Sequence, residues 1–331
     1  MPFSSHSGKG HIRRIVNKLK PKTALDIGVG AGTYAKMFPH LEWTGVEIWG
    51  PYIEKYGLLD LYKKIHNVDA REFYPREKFD ICFLGDVLEH MTVKEAQELL
   101  WRVQRQCETV IVSIPLGPYP QGEYDGNPHE RHITDGWSVE EFHSIFGKSN
   151  YNIVDGDIGV FVYTPYDVRL KIAVYAISKN EAHFVPRFCE SAKEADLIMI
   201  ADTGSTDGLP DVARAHGAVV HDICITPWRF DLARNAAIAL LPRDIDVCIS
   251  LDIDEVLQPG WREEIERVWT GDTTRLRYKF DWGCGIVFYY EKIHARHGYM
   301  WHHPCHEYPI HDGRITEVWA QTDMLLAVHM P

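Results

Sequence analysis

Short apolar runs separated by polar, amphipathic stretches recur along this chain, and their spacing predicts alternating strands and helices. Thr23-Ala-Leu-Asp-Ile27 reads as a strand running into a glycine cluster, with a helix expected from about Thr33. Trp43 to Glu47, Phe79 to Leu84 and Thr109 to Ile114 repeat the strand pattern, and Val93 to Cys107 carries a helical period. Such alternation implies a parallel sheet covered on both faces. Ile153 to Asp157 and Gly159 to Thr164 follow each other with no helix between, which predicts an antiparallel hairpin closing the sheet and a first domain of residues 1–165.

A second alternation starts almost at once. Ile172 to Ile177, Leu197 to Ala201, Ala218 to His221 and Val247 to Leu251 read as strands, and Val185 to Ala195, Leu209 to His216 and Phe230 to Leu240 as helices. Met324 to Val328 is a late strand-like run, and histidines and aromatics thicken after Lys292. The expected fold class is therefore α/β in two domains, 1–165 and 171–331, joined by a short linker. No internal repeat or low-complexity segment interrupts either half.

Composition narrows the class. The 331 residues suffice for two domains of ordinary size. No stretch approaches the roughly 20 apolar residues of a bilayer span, so the expected location is cytoplasmic, at most peripheral to a membrane. The seven cysteines are scattered without a C-x-x-C pair, which suggests reduced thiols rather than a disulfide frame or zinc knuckle. A formal net charge of −12 disfavours a protein that grips nucleic-acid phosphates through lysine and arginine. The one basic segment, His11 to Lys20, reads as an amphipathic helix packing beside the first strand, with a membrane or nucleic-acid surface as the alternative.

Candidate chemistry gathers at two sets of strand ends. In the first half, Gly28, Gly30 and Gly32 after Asp26 allow a tight turn and close backbone approach to a ligand. Glu47 ends the second strand, where a carboxylate can accept both hydroxyls of a ribose. Asn67-Val-Asp69-Ala70 follows, and Gly85-Asp86-Val-Leu-Glu89-His90-Met91 comes after the 79–84 strand. Together these motifs resemble the class I S-adenosylmethionine-dependent methyltransferases over roughly residues 20–165. The resemblance implies a Rossmann-like sheet, with Asp26, Gly28 and Gly30 at the methionine end, Glu47 at the ribose, and Asp69 with Ala70 at the adenine. Methyl transfer needs an aligned nucleophile and sometimes a base. Asp86, Glu89, His90, His129, Glu130 and His132 are the candidates, the last three in the Pro/Gly-rich stretch 115–136.

In the second half, Ser178-Lys-Asn180-Glu181 follows the first strand, and Asp202-Thr-Gly204-Ser205-Thr-Asp207-Gly208 the second. Phe230-Asp-Leu-Ala-Arg234-Asn235 precedes Asp252-Ile-Asp254. A divalent ion on that acidic pair could neutralise a departing diphosphate. The ordered set resembles GT-A glycosyltransferases of inverting family 2, from about Ile172 to the end. That resemblance implies Asn180, Glu181 and Asp202 around base and ribose, Arg234 near the nucleotide, and manganese or magnesium on Asp252 and Asp254, completed by His329. Glu307, in Trp301-His-His-Pro-Cys-His-Glu307, would be the base that deprotonates the acceptor hydroxyl, with Asp281 as the alternative. Relatives commonly continue past the equivalent of His329, so either a longer native chain or acceptor contacts from the first domain are expected.

The two resemblances imply a bifunctional enzyme that uses S-adenosylmethionine and a UDP- or GDP-sugar on a glycan, lipid-linked saccharide or glycosylated small molecule. The alternatives are a glycosyltransferase whose first domain only binds, a nicotinamide-dependent first domain, and an enzyme modifying nucleic acid.

Overall fold

The computed structural model describes residues 5–134, 136–165 and 167–331, and the chain divides into two compact units, Met1–Arg169 and Leu170–Pro331. In the first unit α1 (Lys9–Leu19) and β1 (Thr23–Ile27) are followed by α2 (Thr33–Met37), β2 (Glu42–Val46), α3 (Gly50–Lys55) and β3 (Lys64–His66). Then come β4 (Phe79–Gly85), α4 (Val93–Gln104), β5 (Cys107–Pro115), α5 (Val139–Phe146), β6 (Tyr151–Asp155) and β7 (Ile158–Tyr163). The sheet order is β3-β2-β1-β4-β5-β7-β6; the first five strands are parallel, and β7 runs antiparallel to both β5 and β6. The expected hairpin is present, but it inserts its second strand beside β5.

The two-residue period of the strands builds a core on each face. Ala24, Ile81, Phe83 and Ile111 point to the face that α1 covers with Ile12, Ile15 and Val16. Leu25, Cys82, Leu84, Val110 and Val112 point to the face covered by α4 through Ala96, Leu99 and Val103. Helix α4 ends at Gln104 rather than Cys107, which opens β5 instead. Its start is fixed by a capping box: Thr92 Oγ accepts from Glu95 N–H, and Glu95 Oε2 accepts from Thr92 N–H at 2.9 Å.

The basic helix α1 turns cations inward. Lys9 Nζ donates to the Tyr34 hydroxyl at 2.8 Å, and Arg14 donates to the Val168 carbonyl at 2.6 Å and the Tyr151 hydroxyl at 2.9 Å. Those two groups are spent on packing, in keeping with a helix that packs beside the first strand. No helix among the described residues is long and apolar enough to cross a membrane.

The second unit opens with β8 (Ile172–Ser178), α6 (Val185–Ser191), β9 (Leu197–Asp202), α7 (Leu209–Ala215), β10 (Val219–Asp222), α8 (Phe230–Leu240) and β11 (Val247–Ser250). It continues through β12 (Glu255–Leu257), α9 (Trp261–Val268), β13 (Arg275–Asp281), β14 (Val287–Ala295), β15 (Tyr299–His302), β16 (Tyr308–His311) and β17 (Trp319–His329). Eight strands form one sheet in the order β10-β9-β8-β11-β14-β13-β17-β12, and β15 pairs with β16. The first four are parallel, and β14 runs antiparallel to β11. One core of β8, α6, β11, α9 and β13 side chains lies on one face of the sheet, with Trp261, Tyr278 and Phe280 buried in it, and a second gathers Ala173, Tyr175 and Met199 with Ala233 and Ala237 of α8.

Candidate functional site

Each sheet reverses the order of its parallel strands, between β1 and β4 in the first unit and between β8 and β11 in the second. Loops leaving the carboxyl ends of strands on either side of such a reversal diverge and leave a crevice, which is where open α/β sheets bind ligands. In the first unit that crevice is a cavity of about 330 Å³.

Its walls are built from strand ends. Gly28 and Gly30 leave β1 in the left-handed region, with φ of 73° and 54°. A Cβ on Gly28 would lie 2.6 Å from Val87 Cγ2, so only glycine lets this turn pass under the loop after β4. Glu47 follows β2, its Oε2 accepting from Gly30 N–H at 2.8 Å and its Oε1 from Trp49 N–H at 2.7 Å. Burial raises its pKa, while those two backbone bonds pull the other way. Asp69 and Ala70 follow β3. Burial alone would raise Asp69, but Arg71, chelating it through Nε at 2.9 and 3.0 Å, holds it below the ordinary carboxylate value. Asp86 follows β4 with φ of 54°, and it lines the cavity with His90 and the exposed His129.

Four expected positions lie outside this wall, Glu89 among them at the smaller neighbouring cavity. Asp26 is 1% exposed and sits behind the glycine loop, where Tyr62 donates to it at 2.5 Å. Burial pushes its pKa up to about 7, the Tyr62 bond opposing and the Glu47 charge adding to the rise. It braces the loop and does not line the cavity. Gly32 starts α2 and packs against Leu58 and Leu61. His132 borders a smaller neighbouring cavity. For His90, burial lowers the pKa to about 4 against the opposing bond to the Arg131 carbonyl, which favours the neutral ring.

The sequence reading missed several residues that shape the site. Tyr62 is the chief one, 36 positions from its partner Asp26 and in no motif. Asn67, whose Nδ2 donates to the Glu47 carbonyl at 2.7 Å, stood inside the quoted Asn-Val-Asp motif and had a signal.

In the second unit the loops after β8 and β9 are knitted together. Asn180, with φ of 58°, donates its N–H to Ser205 Oγ at 2.8 Å and accepts from Thr206 N–H at 2.7 Å. Ser205 N–H donates to Asp202 at 3.0 Å, Ser178 Oγ to Glu181 at 2.7 Å, and Ala182 N–H to Asp207 at 2.8 Å. Gly204 allows the turn with φ of 99°. Arg234, presented by α8 with its side chain 3% exposed, donates to Ser250 Oγ at 2.9 Å, pairs with Asp252, and reaches Glu307 at 2.6 Å. Lys292 Nζ lies 3.0 Å from the other Asp252 oxygen.

These pairs bear on three expectations. Asp252 is engaged by two cations: burial alone would raise its pKa, but Lys292 and Arg234 hold it well below the ordinary carboxylate range. Asp254 meets His329 Nε2 at 3.1 Å, yet among the described residues Asp252, Asp254 and His329 do not converge as three ligand atoms, because Asp252 turns to the cations. Glu307 is bound to a buried guanidinium and is not presented as a free base. Asp281 accepts from Gly283 N–H at 2.7 Å.

No family model matches the chain. Over 97 residues, 28% of this chain, it is 33% identical to a TPR repeat-containing protein of Synechococcus elongatus, and the match spans 23% of that protein. Among solved structures, the N-methyltransferase NodS of Bradyrhizobium japonicum is 13% identical with a TM-score of 0.34 over 46% of this chain and 90% of NodS. An S-adenosylmethionine-dependent methyltransferase of Clostridium acetobutylicum is 13% identical with a TM-score of 0.35 over 46% and 90% of the two chains. The mitomycin 7-O-methyltransferase MmcR is 18% identical with a TM-score of 0.36 over 47% of this chain, which spans about half (52%) of MmcR. These neighbours match about half of the chain, and none of them is named as a sugar-transferring protein.

Proposed function

We propose that the first unit, expected as residues 1–165, binds S-adenosylmethionine and transfers its methyl group. The observation that carries this reading is one cavity edge where the glycine loop after β1, Glu47 after β2, Asp69 after β3 and Asp86 after β4 meet. A carboxylate has about four lone-pair sites, so Glu47, with two used by backbone N–H groups, keeps capacity for two ribose hydroxyls. Asp69 would share its acceptor capacity between Arg71 and an adenine amino group. His129 at the rim and the neutral His90 then border the acceptor side. Calorimetry with S-adenosylhomocysteine tests this. Wild type binds, and Glu47→Ala weakens binding by roughly 30-fold, about 2 kcal/mol for charge-assisted hydrogen bonds lost. Failure of wild type to bind would sink the reading.

We propose for the second unit, expected as residues 171–331, transfer of a sugar from a nucleotide diphosphate donor with a divalent ion. It is supported by the cross-linked Asn180, Asp202 and Ser205 loops at the carboxyl ends of β8 and β9, beside the strand reversal, and by the Asp254–His329 contact. A glycan, lipid-linked saccharide or glycosylated small molecule would accept both groups in a bifunctional enzyme. Titrating UDP and GDP with manganese into wild type and Asp254→Ala tests it; no binding of either nucleotide to wild type removes the assignment.

A further inference from the structure

Next to the large cavity, and sharing Asp86 and His90 with it, is a second one of about 90 Å³ bounded also by Glu89, Tyr119, Gln121 and His132. Glu89 is 1% exposed, and among the described residues neither carboxylate oxygen has a hydrogen-bond partner. A buried carboxylate left so costs free energy unless a cation or donor answers it.

The two histidines supply what the carboxylate lacks. One ligand atom each of Glu89, His90 and His132 lies within 4.8 Å of the others, and the two rings sit 4.8 Å apart at 74°. Nδ1 of His90 is 3.1 Å from the Arg131 carbonyl, and Nδ1 of His132 is 2.6 Å from the Tyr119 carbonyl. A carbonyl can only accept, so each Nδ1 carries a proton, and Nε2 is the ring nitrogen through which a neutral imidazole would bind an ion. Backbone carbonyls fix metal-binding imidazoles in this way. The chain segments are cross-tied as well: Ile133 and Thr134 N–H donate to the Glu89 carbonyl at 2.8 and 3.1 Å, and His132 N–H donates to the Gln121 carbonyl at 3.0 Å.

We infer that Glu89, His90 Nε2 and His132 Nε2 bind a divalent first-row metal ion. Two neutral imidazoles and one carboxylate suit zinc, iron(II), cobalt(II) or manganese(II), and three protein ligands leave positions open for an oxygen donor. Bonds of roughly 2.0–2.2 Å would draw the three atoms closer than they now stand. Resting on the methyltransferase reading, the open position takes a hydroxyl of the acceptor. That hydroxyl gives up its proton to solvent, lowered in pKa by the ion. Its oxygen forms a bond to the methyl carbon while the carbon–sulfur bond of S-adenosylmethionine breaks. The products are a methyl ether and neutral S-adenosylhomocysteine, with the ion unchanged.

The test is titration of chelator-treated full-length protein with Co²⁺, read by visible absorption and calorimetry. It is done in an Asp254→Ala background, which removes the other candidate ligand pair. One Co²⁺ site is expected, weakened more than about 100-fold by His132→Ala and by Glu89→Gln, since loss of even an outer partner costs 10–100-fold. S-adenosylhomocysteine binding by the same variants verifies that they fold. Absence of Co²⁺ binding, or equal affinity with and without His132, overturns the site. If Co²⁺ binds through these residues but S-adenosylhomocysteine does not bind wild type, the metal site stands and the methyltransferase reading falls.

Discussion

In the first unit Glu47 lies against an open cavity with backbone N–H groups as its partners, whereas in the second unit Asp252 and Glu307 are both closed onto Arg234. The two sheets reverse strand order at equivalent points and bring acidic loops to the same edge. Topology therefore sets where a site can be, and the charge inventory sets its state. Neutral backbone partners hold Glu47 in the first site, although Asp69 there is paired with Arg71. In the second, any anion that approaches must exchange partners with an existing ion pair.

That contrast can be broken most severely at Arg234. Arg234→Ala leaves Glu307, only 10% exposed, without its cation and Asp252 with Lys292 alone, and breaking a buried pair costs about 3–5 kcal/mol. The second unit's thermal transition should fall sharply while S-adenosylhomocysteine binding by the first is untouched. Equal loss in both would show that the units do not hold their stability separately.

The pH dependence should differ in sign. Asp26 has a folded pKa of about 7, above its unfolded value, so the folded state holds the extra proton. The first unit then loses stability as pH rises from about 4 to about 7, by on the order of 3 kcal/mol, and Asp26→Asn flattens the slope. His294 in the second unit runs the other way. Burial lowers its pKa to about 4, against the bond to the Ala295 carbonyl. Its contribution is present above pH 6.5 and is lost as pH falls toward 4. Calorimetric scans between pH 4 and 8 should move two transitions in opposite directions; parallel movement would refute the assignment to these groups.

The smallest effect is local. Thr92→Ala removes the hydroxyl of the α4 capping box and should cost about 1 kcal/mol in the first unit alone. A fall in the second unit's transition would contradict it.

What the sequence revealed follows from how local each cause was. Strand β1 appears at its expected Thr23–Ile27 because an apolar run meets a glycine turn. Strand β3, Lys64–His66, has one apolar residue and exists because its backbone pairs with β2, Thr44 to Lys64 and Val46 to His66. Strand β13 hides its period because its outward Arg277 and Lys279 are matched only later by Glu291 and Asp323. The site divides likewise. The glycine turn, Glu47 and Asp69 stand at strand ends and could be named, whereas Tyr62 under Asp26 and Arg234 on Glu307 are 36 and 73 positions from their partners. Lys292 had a signal in being a cation within the apolar 287–295 strand, and 4% exposed it serves the acids rather than the surface.

Helix α1 is fastened to residues made long after it: Gly8 N–H donates to Asp155 at 2.8 Å, and Arg14 to Tyr151 and to Val168. On a ribosome adding about 5–20 residues per second, the first helix waits on the order of ten seconds for those partners. Throughout that interval Ile12, Ile15 and Val16 have no finished sheet to cover. The first unit can therefore complete itself only near the end of its own synthesis, and a chaperone that shields short apolar helices would have its longest opportunity within this unit at α1.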